Sequence, residues 1–498
     1  MTSKTNSNRA YLAIDQGTTS SRAIVFTAEF EMAYTAQQEF AQYYPRNGWV
    51  EQDPEELWQS VLAVTREALA AARQQGLQVT HIGIVNQRET TLVWHRDSGK
   101  PVYNAIVWQD RRTSQYCRSL SAHEDMVQQK TGLRLDPYFS ASKLRWILDN
   151  VDGANALAQN EKLLFGTVDS WLIWRLTGGE VHATDVTNAS RTSLYNIGEN
   201  CWDNALLALF GIPPAMLPEV KDCAADFGMT APDILPESLP ISGVAGDQQA
   251  AMIGQGCVQP GNVKATYGTG CFALVNTGAD CPVSQSGLLT TIAYRLHGQT
   301  HYAIEGAIFV AGAAVQWLRD GLGLIAKAAD SEAIASQVGN EHGLVVVPAF
   351  TGLGAPHWQP DARGAIYGIT RATSADDIVR ATLESVCFQT HDLLTAMSQS
   401  GVTPTGLKVD GGMVANEWFC QFLADTLNVP VVRPHIMETT ALGAALLAAM
   451  QAGDIAGLND LATATPCQKT FTPTANSDRE TQLVRWQKAV QATLLMAQ

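Results

Sequence analysis

The sequence has few charges and no long hydrophobic run. Charged residues make up 16% of its 498 residues, the formal net charge is −15, and lysine and arginine are scattered singly along the chain. An acidic chain without a basic patch does not suit nucleic acid or an anionic membrane surface. The longest apolar run with a helical pattern, Ala441–Met450, is well short of the roughly 20 residues that span a bilayer. We therefore expect no nucleic-acid partner and no membrane span.

Cysteine is sparse and never occurs as Cys-x-x-Cys. The nine cysteines are odd in number and widely spaced, which is typical of reduced residues in a cytosolic protein rather than of a disulfide framework or a zinc site. The polar stretch Met1–Ala10 lacks the apolar core of a signal peptide. Together these features predict a cytoplasmic protein.

The chain exceeds the length at which one hydrophobic core keeps growing, so two large domains are expected. Two similar strand–turn–strand patterns lie about half a chain apart. The first comprises Tyr11–Asp15, Gly17–Ser21 and Ala23–Phe26, and the second comprises Val263–Tyr267, Gly268–Gly270 and Cys271–Val275. Helix-like and strand-like segments alternate between them. The sequence therefore predicts an α/β fold of two related domains, residues 1–253 and 254–498, with the boundary near Ile253–Val258.

The two turns are of a kind that binds phosphate. Glycine and small hydroxyl residues expose backbone N–H groups with little steric hindrance, which makes a concave anion site. Turns from two facing domains can hold a triphosphate from both sides, although an ordinary hairpin turn is the alternative. Asp15 ends the first strand beside its turn, where a carboxylate suits Mg²⁺, although it can also simply initiate the turn.

Asp247 is the predicted catalytic base. It follows the glycine-containing strand pattern Ile241–Gly246 and precedes an alanine-rich helical pattern, so it either caps a helix or accepts the proton of an attacking hydroxyl. One such group suffices, because phosphoryl transfer depends mostly on positioning and charge stabilisation. Arg88 and Glu89 follow the strand pattern His81–Val85. They suit hydroxyl recognition, with a surface ion pair as the alternative.

Other motifs are absent or misplaced. Gly268–Ala273 matches a dinucleotide-binding pattern formally, but a strand pattern follows it instead of a helix. Neither a P-loop nor the protein-kinase motifs occur. His297 and His301 enclose Gly298 and predict a hairpin turn rather than a zinc site. Gly411 and Gly412 join a strand to a helix, where they either admit a nucleotide close to the backbone or form a left-handed turn.

Taken together, these segments resemble the FGGY carbohydrate kinase family along nearly the whole chain. The matching motifs are Asp15–Arg22, Gly48–Asp53, Asn86–Glu89, Val107–Arg112 and Gly132–Tyr138, with the two family signatures at Tyr138–Asn150 and Gly364–Glu384. The resemblance implies two actin-like, ribonuclease H-like domains with an ATP-binding cleft between them. It also implies a kinase that uses ATP and Mg²⁺ and forms a homodimer or homotetramer.

The resemblance further assigns roles to individual residues. Those implied to bind the acceptor are Arg88, Glu89, Trp108, Tyr138, Asp247, Gln248 and Phe272. Those implied to bind the nucleotide are Thr18, Thr19, Ser20, Arg22, Gly268, Thr269, Gly312, Gln316, Gly412 and Asn416, and those implied to serve Mg²⁺ are Asp15 and Asp247. The aromatic pair of Trp108 and Phe272 favours glycerol as the acceptor. The alternatives are another polyol, a ketopentose, or a nucleotide-binding sensor without transfer activity, which Asp247 opposes.

The chain departs from the family pattern at two places. Gln52 stands where many relatives have histidine, a change that we expect to matter little. Members that fructose 1,6-bisphosphate inhibits carry a glycine-rich loop ending in arginine before the strand that leads to the catalytic aspartate. Here that segment, Ala231–Ser238, has neither glycine nor arginine, and Asp233 and Glu237 would repel the ligand. Members activated by histidine phosphorylation carry their histidine in this region, but none occurs between His182 and His297.

We therefore expect millimolar fructose 1,6-bisphosphate to leave the kinase rate unchanged, and phosphohistidine transfer to leave the enzyme unactivated. Initial rates with and without the bisphosphate, at several protein concentrations, test the first expectation. Saturable inhibition would contradict it and place an inhibitor site elsewhere, for example at a contact between subunits.

Overall fold

The computed structural model describes residues 8–283, 287–339, 342–464, 467–475 and 478–497, so most of the polar N-terminal stretch lies outside it. Its strands are β1 (Arg9–Gln16), β2 (Ser20–Thr27), β3 (Met32–Glu39), β4 (Glu51–Gln52), β5 (Gln78–Asn86), β6 (Leu92–His95), β7 (Ala105–Ile106), β8 (Leu163–Gly166), β9 (Ala183–Asp185), β10 (Tyr195–Asn196), β11 (Cys201–Trp202), β12 (Glu219–Lys221), β13 (Ile241–Gly246), β14 (Asn262–Tyr267), β15 (Cys271–Gly278), β16 (Leu289–Leu296), β17 (Gln299–Ile308), β18 (Val345–Val347), β19 (Ala365–Tyr367), β20 (Gly406–Asp410), β21 (Val431–Pro434) and β22 (Cys467–Phe471).

The α-helices are α1 (Pro54–Gln74), α2 (Ser114–Ser119), α3 (Glu124–Thr131), α4 (Ser140–Asn150), α5 (Ala154–Gln159), α6 (Val168–Leu176), α7 (Val186–Ala189), α8 (Asn204–Phe210), α9 (Asp247–Gly254), α10 (Gly312–Gln316), α11 (Asp330–Gln337), α12 (Ala375–Gln399), α13 (Glu417–Leu427), α14 (Thr439–Gln451), α15 (Leu458–Thr463) and α16 (Arg479–Leu495). Short 3₁₀ segments lie at Ser121–His123, Pro214–Met216 and Gly412–Ala415, and a π-helical turn lies at Trp317–Gly321.

Two large sheets share one strand order. The first runs β3-β2-β1-β5-β13, and the second contains β17-β15-β14-β20-β21, with β16 and β22 added at its edges. In both, an antiparallel hairpin is followed by strands parallel to its first member. The hairpin similarity seen in the sequence therefore reflects two copies of one topology.

Local chemistry accounts for the longest helix of the first half. Asp53 accepts a hydrogen bond from the Glu55 backbone N–H at 2.7 Å and Pro54 takes the first helical position, as expected at a helix start. The apolar side of α1, which includes Leu57 and Val61, is buried on the first sheet. The sequence pattern is helix-like from Pro54 to Gln75, and the observed helix ends one residue earlier, at Gln74.

Parallel strands bring their carboxyl ends to one edge of the first sheet. Gly246 at the end of β13 pairs with Asn86 at the end of β5, which pairs in turn with Gln16 of β1. Asp15, Arg88 and Asp247 are therefore neighbours although they are far apart in sequence. This is the edge at which α/β sheets usually bind ligands.

Helix α14 joins the two halves of the chain. It belongs to the second half but packs on β1, β5 and β13 of the first sheet and on α9, and its buried residues share one apolar cluster with both halves. The predicted division at residues 253 and 254 remains a prediction. Because α14 covers the first sheet, the two halves are not independent of each other.

Two glycines allow α9 and α14 to cross with their backbones almost in contact. A Cβ atom on Gly254 would lie 1.8 Å from the Thr439 carbonyl oxygen, and one on Gly443 would lie 1.9 Å from the Ala250 carbonyl oxygen. Backbone atoms cannot move aside as a flexible side chain can. Only glycine fits at these two positions.

Three smaller expectations concern turns, cysteines and membrane spans. His297 and His301 belong to the β16–β17 hairpin, as predicted. All nine cysteines are free thiols. Across the residues with described positions, no helix is both long enough and apolar enough to cross a bilayer.

Two arginines from outside the loop Ala231–Ser238 contact it. Arg73 of α1 forms an ion pair with Glu237, and Arg66 donates a hydrogen bond to the Ile234 carbonyl oxygen. Both arginines lie outside the segment that we considered in the sequence, and both already bond to the loop. The expectation about fructose 1,6-bisphosphate stays a prediction.

We expect Gly443→Ala to lower the free energy of unfolding by about 1–3 kcal/mol, the usual cost of overpacking. In an isolated helix the same change would stabilise by about 1 kcal/mol, so the sign of the effect tests the close crossing. Denaturant unfolding gives the measurement, and Gly457→Ala, whose added methyl meets no atom of the described residues within 4 Å, serves as the control. A Gly443→Ala protein as stable as the parent would contradict the crossing.

Candidate functional site

The turn of the β1–β2 hairpin is held in place by side chains from other elements. Its own closing bond runs from the Gly17 N–H to the Ser20 carbonyl at 2.9 Å. Gln52 donates to the Thr18 carbonyl at 2.8 Å, and the Trp108 indole N–H donates to Thr18 Oγ1 at 3.0 Å. Thr18, Thr19 and Ser20 are therefore presented by a fixed backbone, which suits an anion site.

Gln52 bonds to the turn, and the expectation that glutamine in place of histidine matters little stays a prediction. It is fully buried, and its Oε1 accepts a hydrogen bond from Gln87 Nε2 at 2.9 Å while its amide donates to Thr18. Gln87 also donates to Gln16 Oε1 at 3.1 Å. This amide network ties the turn to the ends of β1 and β5, so residue 52 supports the predicted phosphate turn.

Asp15 lies beside the turn, at the end of β1, and is buried. Arg22, its partner across the β1–β2 ladder, forms ion pairs with Asp15 and with Glu438. Burial raises the pKa of Asp15, and the charge of Arg22 opposes that rise. Arg22 is thus held by two carboxylates at the point where we expect it to meet a phosphate.

The carboxylates at this edge suit Mg²⁺ only when the ion keeps part of its hydration shell. Among the residues with described positions, no group of three histidine, cysteine or acidic side chains is arranged to hold a metal. Asp15 and Asp247 are close enough that the Asp247 charge contributes to raising the pKa of Asp15. Mg²⁺ usually takes one or two carboxylates together with phosphate oxygens and water, so this pair fits the expected ion.

Arg88 and Glu89 are buried, so the surface ion pair that was left open for them is wrong. Their side chains are only 2% and 1% exposed. Arg88 Nε lies 3.1 Å from Asp247 Oδ1, and its two terminal nitrogens lie 2.6 and 3.2 Å from the carboxylate oxygens of Glu305. Gly246 makes room for the arginine, since a Cβ there would lie 2.7 Å from Arg88 Cγ.

The backbone of Glu89 has a left-handed conformation, with φ of 60°. Such a conformation is uncommon for a residue other than glycine and often marks a functional site. The Glu89 carbonyl oxygen accepts hydrogen bonds from Ser140 Oγ at 3.0 Å and Thr91 Oγ1 at 3.1 Å. These bonds hold the turn that directs the Glu89 side chain into the cluster.

Asp247 begins α9 but does not cap it. Gly246 occupies the capping position, and the Asp247 carboxylate accepts from the adjacent Gln248 N–H at 2.7 Å and pairs with Arg88. Its side chain is 37% exposed, whereas the cluster around it is buried. Asp247 is therefore the member of the cluster that solvent or a substrate can reach.

The other predicted acceptor residues lie around this cluster in different elements. The Trp108 and Tyr138 rings meet edge to face with centroids 5.7 Å apart. Gln248 accepts a hydrogen bond from the buried Lys264, whose pKa is lowered by burial. Phe272 lies in β15 of the second sheet, opposite Ala307 of β17.

Three segments of the second half meet around the turn Gly268–Gly270. The Gly312 N–H donates to the Gly268 carbonyl at 2.9 Å, and the Ala311 N–H donates to the Thr269 carbonyl at 3.0 Å. A Cβ on Gly411 would lie 2.4 Å from the Tyr267 carbonyl oxygen. Gly268, Thr269, Gly312 and the glycine pair at 411 and 412 are thus brought together, as a shared ligand requires.

The remaining predicted nucleotide contacts are less tightly placed. Gly411 has φ of 95°, so a left-handed turn explains that glycine. Gly412 has no positive φ, and no atom of the described residues lies within 4 Å of its Cβ position. Asn416 caps α13 by accepting from the Phe419 N–H at 2.8 Å. Gln316 is exposed at the end of α10.

Several residues of the site were missed in the sequence. They are Arg191, Gln249, Lys264, Glu305 and Glu438. Gln249 follows Gln248 in the segment that contains Asp247, whereas Arg191, Glu305 and Glu438 each reach the site from an element distant in sequence from their partners. A charged residue inside an otherwise apolar strand, as with Lys264 in β14 and Glu305 in β17, is the one signal that could have pointed to two of them.

Family models match almost all of the chain. The model of the N-terminal domain of the FGGY family of carbohydrate kinases matches residues 10–254, and the model of its C-terminal domain matches residues 263–452. The glycerol kinase of Alteromonas mediterranea is 57% identical over 484 residues, covering 96% of this chain and 98% of that protein. Glycerol kinase 1 of Pseudomonas aeruginosa is also 57% identical, over 482 residues, covering 96% and 98% of the two chains.

Solved structures match the whole fold. The crystal structure of Plasmodium falciparum glycerol kinase with ADP superposes with a TM-score of 0.94 at 36% identity, covering 99% of both chains. A ligand-bound xylulose kinase of Lactobacillus acidophilus superposes with a TM-score of 0.86 over 98% of this chain and 97% of its own, but at 20% identity this likeness concerns the fold alone. The expected α/β fold with two actin-like domains is confirmed.

Proposed function

This chain belongs to the FGGY family of carbohydrate kinases, and from that premise we propose which of its residues carry out the ATP-dependent phosphorylation of glycerol. Its relatives at 57% identity are glycerol kinases, so glycerol is the acceptor and ATP the donor. The alternative acceptors are not favoured, because the xylulose kinases share only the fold. The observation that carries the residue assignment is the convergence of Arg88, Glu89 and Asp247 in one cluster.

Glycerol binds where this cluster is open to solvent. Arg88 and Glu89 supply a donor and an acceptor for its hydroxyl groups, with Tyr138 and Gln248 as further polar partners. Trp108 and Phe272 pack on its carbon chain. Because Trp108 also bonds to Thr18, the wall of the glycerol site and the phosphate turn are in direct contact.

Asp247 is the catalytic base. It accepts the proton of the attacking glycerol hydroxyl as that oxygen bonds to the γ-phosphorus of ATP and the terminal phosphoanhydride bond breaks, which releases ADP. We propose sn-glycerol 3-phosphate as the product. Arg88 holds the Asp247 carboxylate in place, with its Nε 3.1 Å from Asp247 Oδ1.

The nucleotide lies across the cleft between the two sheets. Thr18, Thr19, Ser20 and Arg22 face its phosphates from the first sheet, and Gly268 and Thr269 face them from the second. Gly312, Gln316, Gly412 and Asn416 line the remainder of the nucleotide site. Asp15, through water, and Asp247 would hold Mg²⁺, which when bound neutralises charge on the phosphate oxygens.

Three further features are proposed from the family resemblance. Closure of the two domains would exclude water and so favour transfer to glycerol over hydrolysis of ATP. The enzyme would act in the cytoplasm, which agrees with its nine free thiols. It would form a homodimer or homotetramer.

We expect Asp247→Asn to lower kcat by about 10²- to 10⁴-fold, because the variant keeps the size and polarity of the side chain but cannot accept the proton. Nucleotide affinity, measured by calorimetry with ADP, should persist. Asp203→Asn is the matched control, since Asp203 also lies at a helix start but caps it by accepting from the Ala205 and Leu206 N–H groups. A near-normal kcat for Asp247→Asn would show that Asp247 is not the catalytic base.

Glu89→Gln removes a charged acceptor and Arg88→Ala removes a donor, so both should weaken the use of glycerol. Losing a hydrogen bond to a charged group costs about 1.5–3 kcal/mol, which raises the glycerol KM about tenfold or more. Steady-state kinetics with glycerol and ATP varied separately give the measurement, and the ATP KM should change less. If both variants instead lose ATP affinity selectively, the acceptor site has been misplaced.

A further inference from the structure

Arg191 lies beneath the glycerol site and has no part in the reaction described so far. It follows α7, is fully buried, and donates from Nε to Glu89 Oε1 at 2.7 Å. Its guanidinium lies over the rings of Phe139 at 5.2 Å and Tyr138 at 5.8 Å. It therefore contacts Glu89 and Tyr138, both of which we place against glycerol.

Glu305 completes this arrangement from the other half of the molecule. It lies in β17 of the second sheet, is 2% exposed, and accepts from Arg191 at 3.0 Å and from both terminal nitrogens of Arg88 at 2.6 and 3.2 Å. The two arginines keep the pKa of Glu305 at about 2, well below its usual value, despite its burial. One carboxylate of the second sheet thus holds two cations of the first half.

We propose that Arg191 and Glu305 are positioning residues of the acceptor site, whose ion pairs hold Glu89 and Arg88 in the geometry that binds glycerol. This inference rests on the proposed function and deepens it. It also makes the glycerol site depend on the second sheet, because Arg88 is oriented by a residue of β17.

The charges of the four residues explain why neither positioning residue is dispensable. Arg88 and Arg191 balance Glu89 and Glu305, all within a buried volume. Removing one partner of a buried ion pair leaves the other charge uncompensated and free to take a different partner. Without Arg191, Glu89 would draw Arg88 away from glycerol; without Glu305, Arg88 would pair more closely with Asp247.

Arg191→Met, Arg191→Lys, Glu305→Gln and the double variant Arg191→Met/Glu305→Gln test the proposal in the full-length enzyme. We expect the glycerol KM to rise about tenfold or more in Arg191→Met and Glu305→Gln, as for the loss of a charged hydrogen bond. The ATP KM should stay within about twofold, a change too small to represent a lost hydrogen bond. Arg191→Lys keeps the charge and should restore part of the glycerol affinity.

The double variant should raise the glycerol KM by less than the product of the two single effects. Neighbouring residues in one network are not additive, and the double variant leaves Arg88 and Glu89 as a balanced pair. If either single variant fails to fold, the other and Arg191→Lys carry the test.

A pH profile separates positioning from a merely structural role. Burial raises the pKa of Glu89 and the Glu305 charge adds to that rise, whereas the charges of Arg88 and Arg191 oppose it. The other titratable groups that interact with Glu89 are Tyr138 and Lys143. Loss of Arg191 therefore raises the pKa of Glu89, and the acid limb of kcat/KM for glycerol should shift to higher pH in Arg191→Met.

Arg380→Met is the matched control. Arg380 is also a buried arginine, 5% exposed, and pairs with Glu384 within α12. This variant should lose thermal stability while keeping the glycerol KM and the pH profile of the parent. A general loss of folded enzyme therefore cannot mimic the expected result.

Two outcomes overturn the inference. One is an unchanged glycerol KM with an unshifted acid limb in Arg191→Met, and the other is a loss of kcat alone with both KM values unchanged. Either result leaves the proposed function intact, because the parent enzyme still phosphorylates glycerol. Failure of the proposed function would be evident in the parent itself, as an absence of glycerol-dependent ADP release.

Discussion

Burial of charge at the carboxyl edge of the first sheet is the constraint on which the site depends. Arg88, Glu89, Arg191 and Glu305 have almost no solvent contact, and each isolated ion would cost several kcal/mol to bury. Every one of them therefore needs a partner at hydrogen-bond distance. Asp247, the remaining member, keeps a partly exposed carboxylate beside polar groups that are already oriented.

The duplicated topology supplies the geometry for that cluster. Parallel pairing places the ends of β1, β5 and β13 side by side, and the same pairing in the second sheet places the turn Gly268–Gly270 beside the loop at residues 411 and 412. The close crossing of α9 and α14 then sets the two sheets against each other. Glu305 of the second sheet reaches Arg88 of the first half across this contact.

Much of the fold could be predicted from local patterns. The helix-like pattern at Pro54–Gln75 agrees with α1 to within one residue, and the repeated hairpins indicated a duplicated domain that the strand orders confirm. The surface ion pair left open for Arg88 and Glu89 was wrong, because exposure is set by what packs over a residue. The partners of Gln52 likewise come from elsewhere in the chain, namely Thr18 of the hairpin turn and Gln87 after β5.

The sequence by itself determined the two hairpins with their turns, the position of Asp247 after a glycine-containing strand, and the family. These are local properties, governed by backbone conformation and by the spacing of side chains along one element. Only the tertiary structure decided that Arg191, Glu305 and Lys264 belong to the site, and that Asp15, Arg88 and Asp247 share one edge. Those facts follow from strand register and from the contact between two sheets. Strand register and the contact between the sheets both result from burying apolar surface over the whole chain. No single segment therefore encodes either of them.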